Sequence, residues 1–225
     1  MGKLEEHLDN ACACLRMGKL NQAMKEYQEA IEADPNSSIA HKSLGSLYYR
    51  KTMLDESIAE LKKAIELNPQ YSDAHYELGI SLYRRGLLEE AVASFNKALE
   101  INPNFHIARY WLGLSYYYIG RLKEAIKEFK ATIANEKNVA IAYYHLGIAL
   151  MREEEWQQAI EAFETFLNMT PKSAAACYQL GVCYYTIGDV EKATDNFRKA
   201  VEIDPSDDRS RTNLEKIEEL RSKFF

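Results

Sequence analysis

The sequence predicts an all-α fold, a solenoid of stacked antiparallel helix pairs, and two recurring features carry this prediction. The dipeptide Leu-Gly returns every 34 residues, at Leu44-Gly45, Leu78-Gly79, Leu112-Gly113, Leu146-Gly147 and Leu180-Gly181. Proline keeps the same step at Pro35, Pro69, Pro103, Pro171 and Pro205, and Lys137 takes the remaining place. A constant period without insertions indicates one supersecondary unit stacked on itself.

Each repeating unit is predicted to contain two helices. In the unit that starts at His106, the segment as far as Ile119 is apolar nearly all round. Gly120 then ends this first helix, because glycine readily adopts the left-handed conformation. The second helix carries apolar residues at helical spacing, with lysines and glutamates between them: Leu122, Ala125, Ile126, Phe129 and Ile133. This pattern predicts an amphipathic helix with one face in water. In the units that carry it, the proline near the unit's end is predicted to stop this second helix.

The units resemble the tetratricopeptide repeat, whose marks are a large residue, Leu-Gly, Tyr, Ala, Phe, Ala and Pro at fixed positions. The unit at 72–105 carries His75, Leu78, Gly79, Leu82, Ala91, Phe95, Ala98 and Pro103. The unit at 174–207 carries Cys177, Leu180, Gly181, Tyr184, Ala193, Phe197, Ala200 and Pro205. The resemblance implies a right-handed superhelical solenoid in which the first helices line the concave side.

We therefore expect six units and a C-terminal capping helix. The units are 4–37, 38–71, 72–105, 106–139, 140–173 and 174–207, and the capping helix is 208–225. The first unit has Asn10-Ala11 in place of Leu-Gly, as expected of a terminal repeat. In the capping helix, Leu214, Ile217 and Leu220 form one stripe that we expect to be buried.

Three departures from the repeat pattern have predicted consequences. Thr52 and Glu154 replace the turn glycine, which would cost about 1 kcal/mol at each position if those turns need a positive φ. Lys137 replaces a proline, so we expect a local change of stacking angle at residues 135–138.

The resemblance places one face of every first helix in the concave groove. Counting the first residue of each unit as position 1, this face holds positions 5, 9 and 12, with position 13 beside it. The predicted groove residues are Tyr76, Tyr110, Tyr144 and Tyr178 at position 5; Ile80, Leu114, Ile148 and Val182 at position 9; Tyr49, Tyr83, Tyr117, Met151 and Tyr185 at position 12; and Arg50, Arg84 and Arg152 at position 13. Tyr116, at position 11, is expected in the core.

These rows have a structural and a functional interpretation. Tyrosine is common at positions 5 and 12 in the family, where its ring packs between neighbouring first helices. Position 9 is often Asn in the family, so four apolar residues there indicate an exposed strip that binds a partner. Arginines beside the strip favour carboxylates. The sequence therefore predicts a groove for an extended or helical peptide with apolar anchors and acidic character.

Composition and motifs exclude several function classes. The net charge of −6 argues against nucleic acid as a partner, and no apolar run reaches the length of about 18 residues that a membrane span needs.

The cysteines, Cys12, Cys14, Cys177 and Cys183, form no metal-binding motif, and we expect them buried and reduced in the cytoplasm. The histidines are scattered; His7, His41 and His75 share position 4, a packing position. We expect no catalytic site, cofactor or metal.

Three functions remain open. The first is a non-catalytic scaffold or adaptor that binds another protein in its groove. The second is self-assembly, in which Phe224 and Phe225 of one copy fill the groove of another; some stand-alone arrays of this family, the magnetosome-associated one among them, coat organelles. The third is a substrate-recruiting arm of a larger assembly. The carboxylate clamp of the family's chaperone receptors is not expected, because Ser46 follows Lys42 and Glu77 would repel a carboxylate.

Overall fold

The structure is a computed structural model that describes residues 2–136 and 139–224. These residues form thirteen α-helices and no strand, which confirms the all-α prediction. The helices are α1 (Lys3–Arg16), α2 (Leu20–Ala33), α3 (Ser38–Arg50), α4 (Leu54–Leu67), α5 (Ser72–Arg85), α6 (Leu88–Ile101), α7 (His106–Tyr118), α8 (Leu122–Asn135), α9 (Ala140–Arg152), α10 (Trp156–Met169), α11 (Ala174–Thr186), α12 (Val190–Ile203) and α13 (Asp208–Phe224). Within the described ranges, none of them combines the length and apolarity that crossing a membrane requires.

Two sequence predictions fall on residues that the structure does not describe. Lys137, where we expect a change of stacking angle, lies outside the described residues. The proposed aromatic plug does too, since Phe225 and the side chain of Phe224 are not described.

The chain divides into two compact units, Met1–Ser115 and Tyr116–Phe225. In the first unit, each helix from α1 to α5 packs on the next helix along the chain, as far as α6. In the second unit, the helices from α8 to α13 do the same. First helices of adjacent repeats also touch, α3 with α5 in the first unit and α9 with α11 in the second. This sequential packing is the arrangement of a helical-repeat solenoid.

The glycine of Leu-Gly allows the two helices of a pair to approach closely. A Cβ atom built on Gly79 would lie 2.6 Å from a ring carbon of Phe95, which is fully buried. The same close approach recurs in two further pairs, Gly147 with Phe163 and Gly181 with Phe197. Any larger residue at these positions must push the two helices apart.

The six second helices all end at position 30 of their repeats. Helix α8 ends there at Asn135 although Lys137 replaces the proline, so proline is not required for a second helix to end at this position. Four of the six second helices are followed by another recurring feature, an Asx turn. The backbone N–H two residues after an Asp or Asn donates to its side-chain oxygen at 3.0–3.2 Å, which closes an Asx turn at Asp34, Asn68, Asn102 and Asp204.

The turns inside the helix pairs need a left-handed residue, as expected. Gly86 and Gly120 both have φ of +85°. Thr52 and Glu154 take the same conformation, with φ of +62° and +61°. Thr52 and Glu154 therefore adopt a backbone conformation that ordinarily favours glycine.

Helix α13 occupies the place of a further first helix. Arg211 donates to the carbonyl of Pro205, as Arg109 donates to that of Pro103 at 3.2 Å. Ile217 is buried against the preceding repeat. Leu214 is only half-buried and Leu220 is exposed, so the prediction of a buried stripe is wrong for these two leucines.

The cysteines differ between the two ends of the chain. Cys177 and Cys183 are buried, as predicted, and burial raises the pKa of Cys183 to about 12. Cys12 is exposed and Cys14 is half-buried, so the prediction of burial is wrong for both. Both belong to α1, the first helix of the terminal repeat, against which no preceding repeat packs in the described chain.

We expect Gly79→Ala to destabilise the protein. Alanine in place of glycine ordinarily stabilises a helix by about 1 kcal/mol. Here the new Cβ atom would overlap the buried ring of Phe95. The free energy of unfolding should therefore fall by about 1–3 kcal/mol, as for other overpacked cores. Urea unfolding followed by circular dichroism measures this change, and a stabilised variant would contradict the close approach.

We expect Thr52→Gly and Glu154→Gly each to raise the free energy of unfolding by up to about 1 kcal/mol. The left-handed backbone conformation is sterically unfavourable for a residue with a side chain, and glycine removes this cost. Glycine also gives the unfolded chain more conformational freedom, which offsets part of the gain in stability. Gly86→Ala is the matched control, because its Cβ atom would meet nothing within 4 Å. It should lose about as much stability as the other two gain. Equal urea midpoints for all four proteins would show that these turns carry no strain.

Candidate functional site

The predicted groove residues share one face of each first helix, which we call the first-helix face of each unit. In the first unit, the tyrosines of this face are all half-buried: Tyr49, Tyr76, Tyr83 and Tyr110. Ile80 and Leu114 are only 8% and 5% exposed. The exposed apolar strip predicted at position 9 is therefore wrong in this unit. Ile80 forms the floor of the face, because tyrosine and tryptophan rings stand around it.

The exposed apolar residues of this face lie at position 2, which the sequence prediction missed. Ile39 and Ile107 are 56% and 52% exposed in the first unit, and Ile141 is exposed in the second. Positions 2, 5, 9 and 12 are three or four residues apart, so they lie along one side of a helix. The helical period could have extended the predicted rows by one turn to find them.

A pocket opens in the first-helix face of the first unit. It has a volume of about 290 Å³ and its walls are mostly apolar. Helices α3, α5 and α7 line it with Ser46, Tyr49, Arg50, Tyr76, Glu77, Ile80 and Trp111. Trp111 also meets Tyr83 edge-on, with ring centroids 5.2 Å apart. The pocket therefore has rigid aromatic walls and room for one large side chain.

A half-buried ion pair lies beside the pocket, which Glu77 lines. The Lys42 ammonium lies 2.6 Å from the Glu77 carboxylate, which also accepts a hydrogen bond from Ser46. Burial acts to lower the pKa of Lys42, but the hydrogen bond and charge of Glu77 outweigh it, and the pKa is raised. Lys42 is thus charged and committed to Glu77.

The hydroxyl of Tyr76 faces the same environment. Burial and the negative charge of Glu77 raise its pKa to about 12. The hydroxyl therefore stays protonated at neutral pH and can donate a hydrogen bond to a carbonyl or carboxylate oxygen.

Arginines at position 13 stack on tyrosines of the preceding repeat. The Arg84 guanidinium lies 5.1 Å from the ring centroid of Tyr49 in the first unit. Arg152 lies 4.9 Å from that of Tyr117 in the second. Stacking holds the guanidinium plane in place while its edge still has N–H groups for an acceptor. Arg50 lines the pocket instead, since position 12 of the repeat before it is Leu15.

The second unit has its own first-helix face on α9 and α11. Ile148, Met151 and Val182 are half-buried there, and Tyr185 is exposed. Tyr144 packs on the buried rings of its own repeat, 5.8 Å from Phe163 and 5.4 Å from Phe166. A cavity of about 390 Å³ lies beside α13, lined by Tyr178, Val182, Tyr185, Phe197, Asn213 and Lys216. Arg209 covers one side of this face by stacking on Tyr178, 4.4 Å from its ring centroid.

The three consecutive tyrosines of α7 have three different environments. Tyr116 is half-buried under the Arg121 guanidinium, 4.7 Å from its ring centroid, so the prediction of a fully buried position is wrong. Tyr117 belongs to the first-helix face and is half-buried. Tyr118 is exposed and meets Tyr117 edge-on at 5.2 Å.

Of the three histidines at position 4 in the first unit, two have structural roles, whereas His7 is half-buried, so the prediction of a packing position is wrong for it. His41 and His75 are buried, as predicted. Their Nε2 atoms lie 3.2 Å and 3.1 Å from the carbonyl oxygens of Pro35 and Pro69, so each ring bonds to the turn of the preceding repeat. On its other side, the His41 ring lies 2.6 Å from the Glu60 carboxylate.

Solved structures similar to this chain are helical-repeat proteins. YrrB, described as a TPR protein with an unusual peptide-binding site, matches with a TM-score of 0.76 and 25% identity over 84% of this chain and 97% of YrrB. MamA matches with a TM-score of 0.70 and 28% identity over 72% of this chain and 95% of MamA. The pilF protein of Pseudomonas aeruginosa matches with a TM-score of 0.78 and 18% identity over 95% and 97% of the two chains, a likeness of fold alone.

Family comparison covers nearly the whole chain. A tetratricopeptide repeat model matches residues 53–106, 76–139, 110–164 and 144–208, and a second TPR repeat model matches residues 13–51. Comparison with curated proteins gives no match. The helix pairs, the glycine contacts and these matches agree, and the chain belongs to the tetratricopeptide repeat family.

Proposed function

We propose that this protein is a non-catalytic scaffold whose first-helix face in the first unit binds a segment of another protein. The segment would carry a large apolar side chain with carboxylates beside it. The pocket between α3, α5 and α7 is the observation that carries this proposal. Protein binding is the general role of tetratricopeptide arrays, and YrrB, a similar structure, is described as having a peptide-binding site.

The apolar anchor is inferred from the walls of the pocket. Tyr49, Tyr76 and Trp111 offer rigid aromatic surface, and ordering such rings costs little conformational entropy. Burial of one large apolar side chain contributes about 1.5–3 kcal/mol. Ile39 and Ile107, exposed one turn before the pocket on α3 and α7, would extend this contact along the bound segment.

The carboxylates are inferred from the charges around the pocket. Lys42 and Glu77 neutralise each other, and two arginines lie nearby, Arg50 in the pocket lining and Arg84 on the Tyr49 ring. Both side chains are exposed and lie beside Tyr49. Arginine N–H groups bind carboxylates with strong, oriented hydrogen bonds. An acidic residue next to the anchor would meet this positive edge.

The first-helix face can be tested with variants that leave the core intact. The position 9 residue Leu114 is unsuitable, because Asp at a buried site would unfold the repeat. Ile107→Asp changes an exposed residue instead, and Ile203→Asp, at a residue 38% exposed at the end of α12, is its matched control. The probe is a fluorescent ten-residue peptide with one Trp flanked by Glu. We expect Ile107→Asp to weaken its binding about tenfold in fluorescence anisotropy, and Ile203→Asp to leave the dissociation constant unchanged.

Several outcomes would contradict this proposal. A peptide with Ser in place of Trp should lose most binding, and equal affinity would exclude the apolar anchor. Equal effects of Ile107→Asp and Ile203→Asp would place the binding surface elsewhere.

Light scattering on the free chain over a wide concentration range tests self-assembly. Growth in mass that Ile107→Asp suppresses, or that deletion of Phe224 and Phe225 suppresses, would make a second copy the occupant of this face.

The charge preference has its own test. Arg50→Glu should weaken the Glu-flanked peptide and strengthen a Lys-flanked peptide of the same length, each by several-fold at low salt. Lys62→Glu is the matched control, since it makes the same charge change on the exposed side of α4. Both changes in affinity, for the Glu-flanked and for the Lys-flanked peptide, should become smaller as the salt concentration rises. Identical behaviour of Arg50→Glu and Lys62→Glu would show that only net charge matters.

A further inference from the structure

A histidine and two carboxylates converge in the terminal repeat. His7 on α1 lies 2.9 Å from Glu26 and 3.3 Å from Glu29, both on α2, measured from its Nδ1 atom to an Oε2 atom of each. One ligand atom from each residue lies within 4.8 Å of the other two. The three side chains are 26%, 25% and 35% exposed, so solvent reaches the cluster.

The second repeat shows that this convergence is not a packing requirement. His41 and Glu60 take the places of His7 and Glu26 in the second repeat, 2.6 Å apart. The position of Glu29 is held there by Lys63. Lys63 turns away to pair with a glutamate of its own helix. A histidine–glutamate pair alone therefore satisfies the fold, and the third group is an addition of the first repeat.

The two distances from His7 Nδ1 are close to those between neighbouring ligand atoms of a tetrahedral cation. Zinc binds imidazole nitrogen and carboxylate oxygen at about 2.0–2.2 Å, which places neighbouring ligand atoms about 3.4 Å apart. The measured 2.9 Å and 3.3 Å need only a small widening. Lys25 pairs with Oε1 of Glu29 at 3.4 Å, so Oε2 still faces His7. Imidazole with carboxylates is a ligand set that first-row divalent metals accept.

We propose that His7, Glu26 and Glu29 bind one zinc-class divalent cation, with water completing its coordination. The cation replaces the proton between His7 and Glu26 and joins α1 to α2. It would stabilise the terminal repeat, which no preceding repeat covers in the described chain, because a ligand that binds only the folded state raises stability. This site is separate from the first-helix face, so each proposal can fail without the other.

The test uses the full chain without an affinity tag, treated with chelator and dialysed. Zinc chloride alone is titrated by calorimetry, and thermal unfolding is followed with and without it. We expect one ion per chain, micromolar affinity and a rise in melting temperature. Glu29→Lys, which copies the second repeat, should weaken binding by about tenfold or more and abolish the rise. Glu32→Lys, an equal charge change at an exposed residue of α2, should bind as the wild type does.

Three results would overturn this site. They are no zinc binding at millimolar concentration, unchanged binding by Glu29→Lys, and equal weakening by Glu29→Lys and Glu32→Lys. The last would mean that general charge attraction holds the ion. His7→Gln is a second variant that keeps size and polarity, and it should lose the calorimetric signal while the circular dichroism spectrum stays the same.

Discussion

The contact between a first-helix glycine and a second-helix ring fixes the geometry on which every other feature depends. Gly79 lies where a Cβ atom would overlap Phe95, and equivalent contacts recur in later repeats. This approach sets which way the first helix is rotated against its partner. With position 8 held against the ring, positions 2 and 9 turn sideways to this contact, while tyrosines at position 5 pack on the rings themselves, as Tyr144 does on Phe163. The first-helix face is therefore a consequence of core packing, and its chemistry is free to vary.

The residue at position 4 differs between repeats, but several of these residues make the same structural contact. His41, His75 and Arg109 each bond to the carbonyl of the proline before their helix. The carbonyl at a turn needs a donor, and any long polar side chain at position 4 can supply it. The other end of that side chain is then available for a local partner. In the second repeat that partner is Glu60, and in the first repeat His7 meets two carboxylates.

The sequence predicts the periodic part of this structure and little of what differs between repeats. The step between Leu-Gly pairs was enough for the helix pairs, and the missing glycines at Thr52 and Glu154 correctly predicted strained turns. The convergence of His7 with Glu29 was not predictable in the same way. These residues are far apart in sequence, and their meeting depends on the rotation of α1 against α2. The burial of Ile80 was missed because it depends on rings from three helices.

In the first unit, the charged groups beside the pocket have to be considered apart from the net charge of the whole chain. The chain carries a net charge of −6, which would repel an acidic ligand at long range. Salt screens that repulsion beyond about 10 Å at ordinary ionic strength. At contact distance Glu77 is already paired with Lys42, so Arg50 and Arg84 would be the groups that meet a ligand carboxylate in the proposed complex. Recognition of a carboxylate would then act after encounter, through oriented hydrogen bonds, and would govern the lifetime of the complex more than the rate of its formation.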